Sequence, residues 1–225
     1  MNEKILQRLR YLDACAVSDA MDRLGMESRY AGGLPQRSSS RKVFGQVVTF
    51  KLAPAGSVPR TPGPLRHLGT TAIEQAEPGN VIVVEQRTGI DAGCWGGILS
   101  LAATLKGVSG VIADGPVRDI DEARTYDLPI FSRSVTARTA RGRVEEVSVN
   151  EPVCIDGITV QASDWVIADG SGVVFIPADR ALEVVEAAER IAAREAAMAK
   201  DLLAGRPVPQ VMGKDYEHML RPESA

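Results

Sequence analysis

The sequence predicts an α/β domain, and three features carry that reading. Residues 80–85 and 110–114 are continuous apolar runs bounded by turn signals, which marks buried strands; a glycine-rich turn (89–97) and a short helix (98–105) lie between them, giving a βαβ unit. After it come short apolar runs at 130–137, 143–150, 153–155, 158–161, 165–168 and 173–176, separated by Gly, Asp or Pro turns, and these form a strand-rich segment packed against the βαβ part. Residues 178–205 form a long Ala-rich helix with Leu182, Val185, Ile191, Met198 and Leu202 between charges, Asp179 near its start and Gly205 as its stop.

The remaining elements follow in chain order. From Glu3 to Leu24 the residues Ile5, Leu6, Leu9, Leu12, Val17, Ala20, Met21 and Leu24 recur at helical spacing, so two short helices end at Gly25, with Asp13 or Ser18 as the cap of the second. Residues 30–41 are a loop rich in Gly, Pro and Ser, 43–52 a strand, 54–64 a second loop, and 70–76 a helix that Glu77-Pro78-Gly79 turns into the first buried strand. At roughly 150 residues per domain, 225 residues allow one large domain with extensions. The boundaries are 1–206 for a single domain that includes the long helix, and 207–225 for a tail with a small apolar knot at Tyr216 and Leu220.

Composition narrows the function. Hydrophobic residues are 44% and charged residues 24% of the chain, enough for a core and too apolar for disorder, and with aromatics at 4% that core is aliphatic. A formal net charge of -3 argues against a general nucleic-acid or anionic-membrane binder. Arg outnumbers Lys 20 to 6, but the arginines are scattered. Cys15, Cys94 and Cys154 are far apart, with no CxxC pair, so neither a disulfide framework nor a zinc knuckle is indicated and a reduced, intracellular protein follows. No apolar stretch of about 18 residues occurs, and the expectation is a cytoplasmic protein without nucleic-acid or membrane partners.

Two loops carry the chemistry. In the turn 91–99 before the helix, the unpaired backbone N–H groups at the helix start suit a small carboxylate or phosphate. The spacing is neither GxGxxG nor GxxxxGK, and a turn built only for packing is an equal alternative. At the end of the next strand, residues 114–119 (DGPVRD) place two carboxylates and a guanidinium on the same sheet edge. Asp119 could hold a divalent metal while Arg118 donates to a carbonyl oxygen that becomes an enolate. Equally, Asp119 could cap a short helix from Ile120 and pair with the arginine.

The strings CWGGIL (94–99), GVIADGPVRD (110–119) and LPIF (128–131) resemble the RraA-like family, and VSDAMDRLG (17–25) and ADGSGVVFIP (168–177) extend the resemblance over most of the chain. That family groups class II pyruvate aldolases, typified by 4-hydroxy-4-methyl-2-oxoglutarate aldolase with oxaloacetate decarboxylase activity, and regulators of ribonuclease E. The resemblance implies a swivelling β/β/α domain with N-terminal helices and a long C-terminal helix, assembled as a homotrimer or homohexamer with sites between subunits. It implies that Asp119 anchors Mg²⁺ or Mn²⁺ largely through waters, that Arg118 binds the oxo group of a small oxo-acid, and that the amides of Gly96, Gly97, Ile98 and Leu99 hold the pyruvyl carboxylate. His67 and His218, the two histidines of the chain, are read as surface residues, in keeping with an oxygen-ligated cation.

One position departs from the aldolase pattern. Those enzymes carry an Asp or Glu for proton transfer where this chain has Gly97. Retro-aldol cleavage needs a base at the substrate hydroxyl, whereas decarboxylation of a β-oxo acid needs only an electron sink. Asp91 and Asp114 are the nearby candidate bases, each equally a turn or capping residue. The long helix resembles that of the aldolases, in which a Glu reaches the neighbouring subunit's metal; Glu195 is the match, with a solvated surface charge as the alternative. The expected function is a divalent-metal-dependent carbon-carbon lyase on oxo-diacids, with a non-catalytic regulatory ring as the rival. A methyltransferase role finds no support, because no Gly-rich nucleotide loop with its acidic ribose partner stands out.

Overall fold

In this computed structural model, residues 2–58 and 66–213 are described. The N-terminal pair is α1 (Asn2–Leu9) and α2 (Ala14–Arg23). Asp13, rather than Ser18, caps α2, its Oδ1 accepting from the Ala16 amide at 2.7 Å, and Gly25 at φ +63° closes it. The chain continues through β1 (Tyr30–Ala31), β2 (Val43–Pro54), α3 (Thr70–Gln75), β3 (Val81–Glu85), α4 (Gly97–Lys106), β4 (Gly110–Val117), α5 (Ile120–Thr125) and β5 (Ile130–Val135). Then follow β6 (Val144–Val149), β7 (Val153–Ile155), β8 (Ile158–Val160), β9 (Trp165–Asp169), β10 (Gly172–Ile176), α6 (Ala181–Leu203) and α7 (Val208–Val211). The long helix begins from Arg180, one residue beyond the anticipated Asp179. Tyr216, His218 and Leu220 lie outside the described residues.

The strand-rich segment is not a separate layer, because β2 joins it to the βαβ part. Residues 43–46 of β2 pair antiparallel with β9, and residues 47–51 pair parallel with β3. One sheet results, in the order β1-β10-β9-β2-β3-β4-β5, with β6 antiparallel on the far half of β2, and β7 and β8 form a separate hairpin. β2, β3, β4 and β5 are parallel neighbours, so α3, α4 and α5 are three successive crossovers where the sequence showed one.

The period of two along each strand sorts the side chains between cores. Outward from β2, Phe44 packs on the helical layer of α1, α2 and α6, while Val48, Phe50 and Leu52 pack with α3, α4 and α5. Inward, Val43 and Val47 join Val83, Ile112, Phe131, Val166 and Phe175 around Val153, Ile155 and Val160 of the hairpin. The core is aliphatic, as composition requires. Each fully buried Leu, Ile, Val or Phe contributes about 1.5–3 kcal/mol relative to exposure.

α6 buries Ala181, Val184, Val185, Ala187, Ala188 and Ile191, a stripe at helical spacing against α1 and α2. Arg8 on α1 fixes the approach with bonds to Glu189 at 2.5 and 2.7 Å and a contact to Glu186 at 3.5 Å. Beyond Ala192 the helix is largely exposed, and at 1.5 Å per residue its last three turns project past the core.

Candidate functional site

The cleft that gathers the predicted residues forms where the ends of β3 and β4 meet the N-terminus of α4. Backbone hydrogen bonds bring the two loops together: the Cys94 amide donates to the Pro116 carbonyl at 2.8 Å, and the Arg118 amide to the Trp95 carbonyl at 3.0 Å. Trp95 is the anchor of the turn. Its ring is buried against Phe50, and its Nε1 donates to Ser100 Oγ at 3.0 Å while that hydroxyl donates to the Gly96 carbonyl at 2.9 Å. The cleft measures about 200 Å³ and includes His67, Gly96, Gly97, Ile98, Leu99, Arg118, Asp119 and Arg141 in its lining.

The α4 amides divide into one that is used and two that are free. Gly97 N–H donates to Asp119 Oδ2 at 3.0 Å, so the carboxylate of one loop caps the helix of the other. Ile98 and Leu99 N–H groups have no acceptor among the described residues and face a helix end that favours anions.

Asp119 occupies the N-cap position of α5 but gives no side-chain bond to that helix, so the local capping role is not the one it plays. It lies in the left-handed region at φ +57°, which for a non-glycine residue stores about 1–3 kcal/mol and turns its carboxylate back to α4. Arg118 Nε donates to both Asp119 oxygens, at 3.2 and 3.1 Å. The terminal guanidinium nitrogens of Arg118 have no acceptor among the described residues.

Gly97 has no positive φ; its lack of a side chain has another cause. A Cβ built on it would lie 1.8 Å from Glu122 Oε2 and 2.5 Å from Glu122 Cδ. Glu122, in the first turn of α5, therefore rests its carboxylate against the first residue of α4. The sequence reading missed this residue, and the only signal available was its spacing three residues after Asp119, which puts both on one helix face.

Asp114 and Asp91 do not join this cleft. β4 runs on to Val117 instead of ending at Asp114, with a register shift between Ala113 and Pro116 that inserts an extra residue into the strand. Asp114 consequently lines a neighbouring cleft of about 600 Å³, is 1% exposed, and accepts from Arg133 Nε and from the Asp156 amide at 2.7 Å. Asp91 lines that same cleft and contacts Arg138 at 3.4 Å.

Glu195 lies on the projecting part of α6. It is exposed there, and partial desolvation, followed by the nearby charges of Asp13 and Asp19, raises its carboxyl above the usual range. His67 is exposed at the rim, its Nδ1 3.0 Å from the Leu68 carbonyl oxygen. Burial pushes the Cys94 thiol up to about 12, so this residue packs without reacting.

A mixed sheet whose parallel half ends in an Arg–Asp pair beside a helix N-terminus defines a swivelling β/β/α domain. This chain belongs to the RraA-like family: the family model described as Aldolase/RraA matches residues 14–175. Protein DlpA of Legionella pneumophila is 28% identical over 212 residues, covering 94% of this chain and 34% of that protein, so the chain spans about a third of its length. A Halalkalibacterium halodurans protein named "Putative 4-hydroxy-4-methyl-2-oxoglutarate aldolase" is 25% identical, with 89% of this chain and 91% of that one covered. The crystal structure of an uncharacterized protein from Pseudomonas syringae superposes with a TM-score of 0.83 at 29% identity, covering 95% of this chain and 98% of that chain. Among the described residues no helix is long and apolar enough to cross a membrane.

Proposed function

We propose that this chain is a divalent-metal-dependent carbon-carbon lyase that releases pyruvate from small oxo-diacids, by retro-aldol cleavage of 4-hydroxy-4-methyl-2-oxoglutarate, by decarboxylation of oxaloacetate, or both. The observation that carries the reading is one small cleft in which two free amides, Ile98 and Leu99, stand opposite a guanidinium with free terminal nitrogens, Arg118. Amides and guanidinium match the carboxylate and the adjacent oxo group of a 2-oxo acid. Arg141 adds cationic character at the rim, which suits a second carboxylate. The relative named for the aldolase supports the substrate class.

The residues fit a hydrated hard cation. No group of three or more His, Cys, Asp or Glu side chains able to cage a metal occurs among the described residues, while the Asp119 carboxylate is 31% exposed in the cleft. One carboxylate with waters and substrate oxygens is a usual way to hold Mg²⁺ or Mn²⁺. Asp119 would be that ligand, and Glu195 would contribute from a second copy in a trimer or hexamer. When bound, the ion supplies Lewis-acid polarisation of the oxo group.

The chain's own groups do the remainder. The Ile98 and Leu99 amides orient the carboxylate. Arg118 stabilises the negative charge that develops on the C2 oxygen when the C3–C4 bond breaks, and such a donor acts more strongly in the transition state than in the ground state. The test is a panel of oxaloacetate and several 4-hydroxy-2-oxo acids, with Mg²⁺ and with chelator, following pyruvate. Metal-dependent release supports the lyase; no release from any substrate by the metal-loaded protein leaves the regulatory ring as the better reading.

A further inference from the structure

We propose that Glu146 of β6 is a positioning residue of the small cleft, holding in place the segment 67–71 that forms one of its walls. The inference rests on the lyase reading and adds to it a residue that acts through the wall rather than on the substrate. Strand register puts the carboxylate there. Along the β2–β6 ladder Phe50 faces Val149 and Lys51 faces Ser148, and the pairing then skips Val147, so that Leu52 faces Glu146. Without that bulge Glu146 would stand opposite Ala53, and because directly opposed residues share a sheet face, a one-residue slip exchanges the faces. The extra residue therefore turns Glu146 to the side on which Phe50 and Leu52 pack with Ala72 and Ile73 of α3 and Leu99 of α4.

On that side the carboxylate supplies what the start of α3 lacks. The helix opens at Gly69, which has no side chain to cap it; Glu146 Oε2 accepts the Gly69 amide at 2.6 Å, and the Thr71 hydroxyl adds a second bond. Gly69 lies at φ +76°, and a Cβ built on it would be 3.4 Å from both Leu99 Cδ1 and Trp95 Cζ3. The segment thus rests on the turn that presents the α4 amides. His67 and Leu68, the two residues before Gly69, line the cleft.

Fold stability does not account for a charge at this place. Burial raises the Glu146 carboxyl above its usual range, against the opposing pull of the Gly69 and Thr71 bonds and of Arg66 and His67. A raised folded value means that the stabilisation is present below the unfolded value and is lost as pH rises through the folded one, so at neutral pH the ionised group costs the fold stability. What the carboxylate provides is a fixed wall. Such a wall meets the substrate equally in the ground state and the transition state, so its loss raises KM and leaves kcat, unlike the loss of Arg118.

The test is steady-state pyruvate release by the metal-loaded protein, beside thermal melting and amide hydrogen exchange over residues 67–71. Glu146→Ala and Glu146→Met both remove the carboxylate, and Met keeps its volume, so the test stands if only one of them folds. Each should raise KM about 5- to 10-fold, the equivalent of one hydrogen bond, with little change in kcat and with faster exchange over 67–71. Glu146→Gln retains an acceptor for the Gly69 amide and a donor for the Thr71 oxygen without the charge. It should return KM to within about twofold of wild type, with a Tm no lower than wild type.

A KM within about twofold of wild type in the Ala or Met variant overturns the positioning role, whatever happens to the Tm, while pyruvate release by the wild type keeps the lyase reading. A Gln variant as impaired as the other two overturns it as well. A wild-type protein that releases no pyruvate from any substrate removes the lyase reading itself and, with it, the role of Glu146 in catalysis.

Discussion

The two clefts at the strand ends hold the same residue types and put them to opposite uses. In the larger one, Asp114 is buried beneath Arg133, Arg133 reaches on to Asp156 at 2.6 Å, and Asp156 accepts the Gly33 amide at 3.1 Å. Arg87 adds a bond to Cys154 Sγ at 3.0 Å and lies 3.8 Å from Asp114. These carboxylates are answered within the chain. In the smaller cleft the Ile98 and Leu99 amides, the outer nitrogens of Arg118 and the Glu122 carboxylate are left open, and Asp119 is held at a strained φ. Incomplete pairing, not size, distinguishes the candidate site, because a group already satisfied gains little by binding a ligand.

Exchanging one arginine in each cleft sharpens the contrast. Arg118→Ala should lower kcat for pyruvate release by about 10²–10³, the usual cost of an oxyanion donor, with the Tm within a degree or two of wild type. Steady-state kinetics beside thermal melting checks this, and a kcat within about twofold of wild type would break the comparison. Arg133→Ala should do the reverse. It leaves Asp114 buried without its main partner, and because Arg133 itself is 43% exposed the loss is about 2 kcal/mol rather than the larger cost of a fully buried pair. Denaturant unfolding measures it.

A smaller effect separates the clefts by pH. The Arg133 hydrogen bond holds the Asp156 carboxyl below the usual carboxylate range. A depressed folded value means that its stabilisation is present above the unfolded value near 3.9 and is lost as pH falls through the folded one. Asp156→Asn should therefore lower stability by less than about 1 kcal/mol at neutral pH, with the difference from wild type shrinking below about pH 4. An equal difference at pH 3 and pH 7 in urea titrations would show that the Arg133–Asp156 pair contributes nothing.

Much of this arrangement was legible in the residues. Apolar runs at 80–85 and 110–114, the glycine turn between them and the VRD end of β4 mark the sheet edge that carries the candidate site, because period, turn chemistry and helix ends are local properties. Asp114 and Asp119 illustrate the limit of that reading. Five residues apart in one loop motif, they share a sheet edge by sequence and belong to different clefts in the fold. Glu122 shows the same limit from the other side. Nothing in the string Asp121-Glu122-Ala123 distinguishes it from an ordinary acidic first turn.

The sequence by itself determined the α/β class, the glycine that ends the N-terminal helix pair, the aliphatic core and the Arg118–Asp119 loop on the same sheet edge as the glycine turn. Only the tertiary structure decided that β2 serves two halves of one sheet, that an extra residue in β4 commits Asp114 to Arg133, and that Glu122 fills the space above Gly97. Each of these depends on which distant segments lie side by side, set by strand register and by core packing summed over the whole chain. Local pattern constrains what a segment can form, and the company that segment keeps decides which of its charged groups remain free to act.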